Sequence, residues 1–183
     1  MPGAQLAIAD PPYLGRSVRW YGGGRGSGRG GGADYHPDAA RWDEPQAHRD
    51  LLEYLRASFD GWAIACAPDT LGVYLEYPTD IRVMVWHTRN APPSGARVLS
   101  SWEAVVIYIP PGRRARRQGV NMADVLDVPA PRGGFAGAKP DAWTTWVMNA
   151  LGATPRDSVV DLFLGSGSVS RAVAQLQTQP ALF

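Results

Sequence analysis

Little in this chain can staple it or carry it through a membrane. It has a single cysteine, Cys66, in 183 residues, so no disulfide framework can form within it. Its three histidines, His36, His48 and His87, stand far apart, which argues against a zinc site. No apolar run reaches the roughly 18 residues that a membrane helix needs, and no signal-peptide pattern opens the chain. Charge is nearly balanced, 18 basic side chains against 17 acidic for a net of +1, so total charge does not announce a nucleic-acid partner. These absences predict a soluble, cytosolic protein held by an ordinary core and without metal. Hydrophobic residues make up 45% of the chain, enough for such a core. The length predicts one domain over residues 1–183.

Glycine and arginine are plentiful and unevenly placed. Residues 22–32 are all glycine except Arg25, Ser27 and Arg29. Such a stretch loses much entropy on ordering. Residues 14–44 are therefore expected to form a flexible basic loop, which is either a plain solvent loop or a flap that orders on a phosphate backbone. A second basic block, Arg113, Arg114, Arg116 and Arg117, lies in residues 110–137, where no periodicity is legible. The same two readings, solvated charge run and phosphate contact, hold there.

Elsewhere the pattern alternates. Short apolar runs predict strands at residues 6–9, 62–67, 82–86, 103–109 and 158–164, with a shorter one around 125–128. Helices are expected at 45–58, from Pro45 in its first turn, at 141–151, stopped by Gly152, and at 169–177. A short helix capped by Asp69 is expected to run through Tyr77. Unbroken apolar strands between helices predict an α/β fold: a mostly parallel sheet of about five strands with helices on both faces.

Two stretches carry chemistry. Leu6-Ala7-Ile8-Ala9-Asp10-Pro11-Pro12-Tyr13 reads as a buried strand stopped by an acid, two prolines and a ring. The prolines have no backbone donor and a fixed φ, so they end the ladder and stiffen the chain before Tyr13. Asp10 falls at the carboxyl end of its strand, where open α/β sheets place ligands. The Asp10 carboxylate and the Pro11 carbonyl are two acceptors able to meet one amino group, and Tyr13 offers a face for stacking. Bonds to both amino hydrogens would draw the nitrogen lone pair out of conjugation and make it nucleophilic. The second stretch, Asp161-Leu162-Phe163-Leu164-Gly165-Ser166-Gly167, is a strand end, a glycine turn and a helix start with free N–H groups. It is neither the longer dinucleotide fingerprint nor a phosphate loop, since no lysine follows the glycines.

Together these motifs resemble those of the DNA amino-methyltransferases that use S-adenosylmethionine. That family has Asp-Pro-Pro-Tyr as its catalytic motif and Asp-x-Phe-x-Gly-Ser-Gly as its cofactor motif. A Lys-Pro pair lies about twenty residues before the latter, and Lys139-Pro140 matches it. With the catalytic motif first, the order is that of the circularly permuted β-type members. The resemblance implies a Rossmann-like methyltransferase sheet. It implies that Asp10, Pro11, Pro12 and Tyr13 bind and activate the amino group of a DNA base, adenine before cytosine, flipped from the duplex. It implies S-adenosyl-L-methionine as cofactor, with Asp161, Phe163, Gly165, Ser166 and Gly167 around its methionine part and Lys139 near the same end. Arg25, Arg29, Arg113, Arg114, Arg116 and Arg117 are the candidate DNA contacts, and residues 110–137 are a short candidate recognition segment.

The sequence departs from the family in two respects, the first being that the segment that usually reads DNA sequence is short, at most about residues 110–132. A further strand, ending in an acid that binds the cofactor ribose, usually follows the cofactor helix, and no residue of this sequence matches that acid. The strand edge beyond Asp161 is expected to need a cover: residues 178–183, a second copy of the chain, or a partner subunit. Two other readings stay open, a degenerate member that binds nucleic acid or a partner enzyme without catalysis, and an RNA methyltransferase.

Overall fold

The strand that opens the chain, β1 (Gln5–Ala9), lies in the interior of the sheet, and Leu6, Ala7, Ile8 and Ala9 are at most 1% exposed. The computed structural model describes residues 3–22, 38–75, 80–91, 96–115, 121–132, 137–165 and 167–178. Helices α1 (Ser17–Tyr21), α2 (Ala39–Trp42) and α3 (Pro45–Ser58) follow β1. Then come β2 (Gly61–Cys66), a 3₁₀ turn (Pro68–Tyr74), β3 (Arg82–His87), β4 (Trp102–Tyr108) and β5 (Val125–Asp127). Helix α4 (Asp141–Leu151), β6 (Ser158–Asp161) and α5 (Ser168–Thr178) complete the order. The strands form one six-stranded sheet in the order β5-β3-β4-β2-β1-β6.

Both faces are covered, as the apolar strands predicted. Leu6 and Ile8 point into a cluster with Trp143, Val147 and Leu151 of α4 and Val169 and Ala172 of α5. Ala7 and Ala9 point the other way, into Leu51, Leu52 and Leu55 of α3. Successive strand residues alternate faces, so the bulky pair meets one layer and the small pair lets α3 approach closely. α3 and α4 keep their expected bounds, and α4 ends where Gly152 takes a left-handed φ of +67°, as helix-ending glycines do.

The sheet is mostly parallel as expected: β1, β2 and β6 run parallel, as do β3 and β5, while β4 is antiparallel to both β2 and β3. The reason is local: the described residues between β3 and β4 hold no helix, and parallel neighbours need a crossover connection, usually a helical one. The short run at 125–128 does join the sheet, at residues 125–127 on the edge of β3, making six strands in place of about five. β6 ends at Asp161, three residues early, because the Asp161 carboxylate accepts the N–H of Phe163 at 3.1 Å and turns the chain. Asp69 does not cap the 3₁₀ turn, which starts two residues sooner, after Ala67, and ends at Tyr74 before reaching Tyr77; the Asp69 carboxylate holds Arg16 at 2.9 Å instead.

The segment expected as one flexible loop, 14–44, contains α1 and α2 at its two ends. The Asp43 carboxylate takes the N–H groups of Ser17 at 2.8 Å and Val18 at 3.0 Å, two of the first-turn donors that α1 cannot satisfy itself. The glycine-rich part between α1 and α2 lies outside the described residues. His48 of α3 is fully buried, with Nε2 2.8 Å from the Trp42 carbonyl and Nδ1 2.5 Å from the Tyr74 hydroxyl. Burial lowers its proton affinity, so the neutral ring donates to the carbonyl and accepts from Tyr74, tying α3 to the 3₁₀ turn. Among the described residues, no helix is long and apolar enough to cross a membrane. The outer edge of β6 pairs with no strand among the described residues, and the tail expected to cover it, beyond Thr178, lies outside them.

Candidate active site

Asp10 and Asp161 come together through strand register. β1 and β6 are parallel neighbours with Ile8 opposite Asp161, so the two motifs, at opposite ends of the sequence, leave the same end of the sheet side by side. The proximity is electrostatic as well as topological. The Asp161 carboxyl is held above its ordinary proton affinity first by burial, with the charge of Asp10 adding to it and the Phe163 N–H opposing.

Asp10 sits in a small charged box. Pro11 and Pro12 behind it are buried and Tyr13 is half-buried. Lys139 Nζ donates to Asp10 Oδ1 at 2.9 Å and Oδ2 at 2.8 Å and lies 3.3 Å from Glu103 Oε2. The Tyr13 hydroxyl donates to the same Glu103 oxygen at 2.5 Å. Three rings surround the ammonium, with centroids 5.2 Å (Tyr13), 5.8 Å (Trp143) and 5.9 Å (Trp86) from Nζ, within the range of cation–π attraction. Burial is the largest influence on Asp10 and raises its proton affinity; Lys139 opposes it and Glu103 adds to it. Burial and the two neighbouring carboxylates push the Tyr13 phenol far up, so the hydroxyl stays a donor.

Of the residues expected beside the cofactor, Asp161, Phe163, Gly165 and Gly167 stand at the β6–α5 turn, and Ser166 lies outside the described residues. Lys139, expected at that end too, bonds Asp10. Phe163 packs edge-on against Trp42, ring centroids 5.1 Å apart. Beside it opens a groove of about 280 Å³ lined by Trp42, Leu51, Tyr54 and Leu162 with Arg41 and Asp50. Gly167 has φ +72°, a conformation that costs a β-branched residue dearly. A Cβ there would meet nothing closer than the Arg171 side chain at 3.6 Å, so the glycine is required by the backbone and not by crowding within the protein. Gly167→Val is expected to distort the turn and weaken S-adenosylmethionine binding by about tenfold or more, the equivalent of roughly 1–2 kcal/mol. Calorimetric titration checks this, and unchanged affinity removes the turn from the cofactor site.

The basic block divides. Arg113 is committed to the fold: it reaches Asp157 through two 2.7 Å bonds and the Gly152 carbonyl at 3.0 Å, and its side chain is 20% exposed. Arg114 lies over the Tyr108 ring, bonds the Ile109 carbonyl at 3.0 Å and pairs with Asp80 at 3.3 Å. It is 40% exposed and so still presents charge to solvent. Arg25, Arg29, Arg116 and Arg117 lie outside the described residues.

Sequence reading did not give Glu103, Trp86 or Trp143 a role in the site. Glu103 had a signal, since it is the only acid in β4. The two tryptophans read as core residues and are nearly fully buried; their place around Lys139 needed the fold.

No protein-family model matches the chain, and no curated protein matches it in sequence. Solved structures do match in shape. PvuII DNA methyltransferase (cytosine-N4-specific) superposes with a TM-score of 0.63 at 10% identity, over 96% of this chain and 72% of that one. M1.HpyAVI in complex with SAM gives 0.59 at 14% identity, over 96% and 79%. A putative DNA modification methylase from Thermus thermophilus, complexed with S-adenosyl-L-methionine, gives 0.52 at 16% identity, over 96% and 78%. The chain has the Rossmann-like α/β fold of these DNA methyltransferase structures.

Proposed function

We propose that this chain transfers the methyl group of S-adenosylmethionine to the exocyclic amino group of a DNA base, adenine ahead of cytosine. The observation that carries the proposal is the register of β1 and β6, which sets Asp10 beside the glycine turn after Asp161. The residues at that turn suit the cofactor. A half-buried carboxylate, Asp161, can take an ammonium, and the start of α5 offers N–H groups to a carboxylate. Those are the two charges of a methionine end. When bound, the cofactor supplies a methyl group made electrophilic by a sulfonium.

The chain's own part is orientation and charge. Asp10 and the Pro11 carbonyl accept the two amino hydrogens and turn the nitrogen lone pair toward the methyl group. Tyr13, its hydroxyl tied to Glu103, is the ring on which the base stacks. As the methyl carbon would exchange its bond to sulfur, which keeps the electron pair, for a bond to nitrogen, the nitrogen would become cationic beside two carboxylates and one ammonium, a local balance that favours positive charge. The nitrogen then gives up one proton to solvent water, which restores the neutral amine. A duplex base reaches Tyr13 by flipping out of the stack.

The test is mass spectrometry of digested DNA from cells expressing the chain. N6-methyladenine or N4-methylcytosine is expected, and neither is expected with Asp10→Ala. Absence of both methylated bases, with the cofactor bound in calorimetry, would leave the non-catalytic binding reading; methylated RNA alone would leave the RNA reading.

Arg25, Arg29, Arg114, Arg116 and Arg117 remain the proposed phosphate contacts, with Arg113 taken up by Asp157. Removing Arg114, Arg116 and Arg117 together is expected to flatten the log–log salt dependence of DNA binding by roughly two to three units. A slope that does not move returns them to the solvated surface. We propose also that the outer edge of β6 is paired in the working assembly, by a second copy or a partner subunit. A clean monomer with full activity in ultracentrifugation and assay would overturn that.

A further inference from the structure

We propose that Lys139 is a positioning residue for methyl transfer: its ammonium grips both oxygens of Asp10 and fixes the aim and the charge of the acceptor that meets the target amino group. The inference rests on the methyl-transfer reading and adds to it a residue whose place was expected elsewhere.

The grip is built. Pro140 holds Lys139 extended just before α4 starts, and Gly137, at φ +80°, turns its carbonyl to within 3.3 Å of Nζ. An ammonium has three donors. Asp10, Glu103 and the Gly137 carbonyl occupy them, and the side chain is only 4% exposed. With the rings of Tyr13, Trp86 and Trp143 around it, the lysine does not wander among partners as a surface lysine does. Asp10 is 29% exposed. It therefore turns one side to Lys139 and keeps accessible surface for a ligand. A carboxylate has about four lone-pair directions, so bonds to Nζ leave acceptors free for an amino group.

The balance of charge gives the grip its purpose. Asp10 and Glu103 are two carboxylates sharing one cation, and the charge of Glu103 disfavours ionisation of Asp10. The groups facing Asp10 from the surrounding elements are Lys139 before α4, Glu103 on β4, Tyr13 after β1, Tyr21 on α1 and Asp161 on β6. Lys139 is the only cation among them. Without it, partial burial and the charge of Glu103 act unopposed to raise the proton affinity of Asp10, and a protonated Asp10 would offer a hydroxyl donor where the amino group needs an acceptor. Lys139 itself stays charged, since two carboxylates outweigh its burial.

The test compares wild type, Lys139→Met, which keeps the stem and loses the charge, and Lys139→Arg, which keeps the charge. The substrates are S-adenosylmethionine and amplified, hence unmodified, genomic DNA. With Lys139→Met the acid limb of the kcat profile is expected to move up by about one pH unit or more, with kcat near neutrality down about tenfold or more, while KM for S-adenosylmethionine stays within about threefold. Lys139→Arg is expected to restore the acid limb. A Lys139→Met enzyme with the wild-type acid limb overturns the proposal. Because Lys139→Met leaves two carboxylates in the box and can fail to fold, Glu103→Gln is the second variant. It gives Lys139 wholly to Asp10, so the acid limb is expected to move down; an unmoved limb overturns the proposal. Carbon-13 titration of the Asp10 carboxyl reads the same charge without turnover: ionised in wild type at about pH 7, protonated in Lys139→Met. An Asp10 that titrates alike in both overturns the proposal. Absence of transfer by the wild-type protein overturns the methyl-transfer reading alone, and the titration still decides whether Lys139 holds the charge of Asp10.

Discussion

Asp10→Ala is expected to lower methyl transfer by about 10³-fold or more while leaving the protein folded. The size follows from the role. In the proposed mechanism Asp10 acts on the nitrogen as its lone pair turns outward and its charge develops, and losing one such preorganised partner costs roughly 10²–10³-fold in well-studied sites. Alanine also removes the hydrogen bonds that orient the amino group, so misalignment compounds the loss. The fold survives because Lys139 is not orphaned: Glu103 lies 3.3 Å from its ammonium and the Gly137 carbonyl remains. Asp10 is moreover a carboxylate that burial disfavours, so its removal relieves one cost as it creates another. Transfer of labelled methyl groups to DNA measures the first effect and a circular-dichroism melt the second. Turnover equal to wild type removes Asp10 from the mechanism. Asp10→Asn sharpens the result, since it keeps the shape and one acceptor but presents an amide NH₂ toward Lys139; it too is expected to be severely impaired.

The strands, the long helices and both motifs were legible because each is a local pattern. Leu6 to Ala9 is apolar without a break, Pro45 and Gly152 mark helix ends, and Asp10-Pro11-Pro12-Tyr13 can only end a strand. Pairing across the chain was less legible. Nothing near Arg113 distinguishes it from Arg114, Arg116 or Arg117, yet its carboxylate partner lies 44 residues away and takes it out of the surface charge. Lys139 was located correctly before α4, but only the folded sheet brings it to Asp10 across 129 residues. The direction of β4 was readable in principle, from the missing helix between Trp86 and Glu103. Asp161 ended β6 early through a bond to its own neighbour's backbone, a side-chain competition that strand propensity does not express.

Asp157→Ala is expected to destabilise the fold by about 3–5 kcal/mol, the cost of breaking a buried pair and leaving its partner uncompensated. Its side chain is fully buried and accepts five hydrogen bonds: from Ala4 N–H at 2.7 Å, Thr154 N–H at 2.7 Å, the Thr154 hydroxyl at 2.9 Å and two Arg113 nitrogens at 2.7 Å. These donors come from the entry to β1, the turn before β6 and the segment after β4. The clamp thus fastens the far end of the β1–β6 pair, next to the Ser158 N–H bond to the Ala4 carbonyl at 3.0 Å. It helps to set the register that brings Asp10 and Asp161 together at the other end. In a chain of this length the loss corresponds to a fall in Tm of roughly 6–20 °C. The pH dependence has a definite sign. Against the cost of burial, Arg113 and the Ala4 and Thr154 donors hold the Asp157 carboxyl well below the usual carboxylate range. Its contribution is therefore fully present above the unfolded value of about 3.9 and is lost as pH falls from there toward the folded value. Denaturant titrations at neutral pH and across that acid window measure both effects. Wild type should lose stability on acidification more steeply than Asp157→Asn, and parallel curves would show that Asp157 does not hold the sheet.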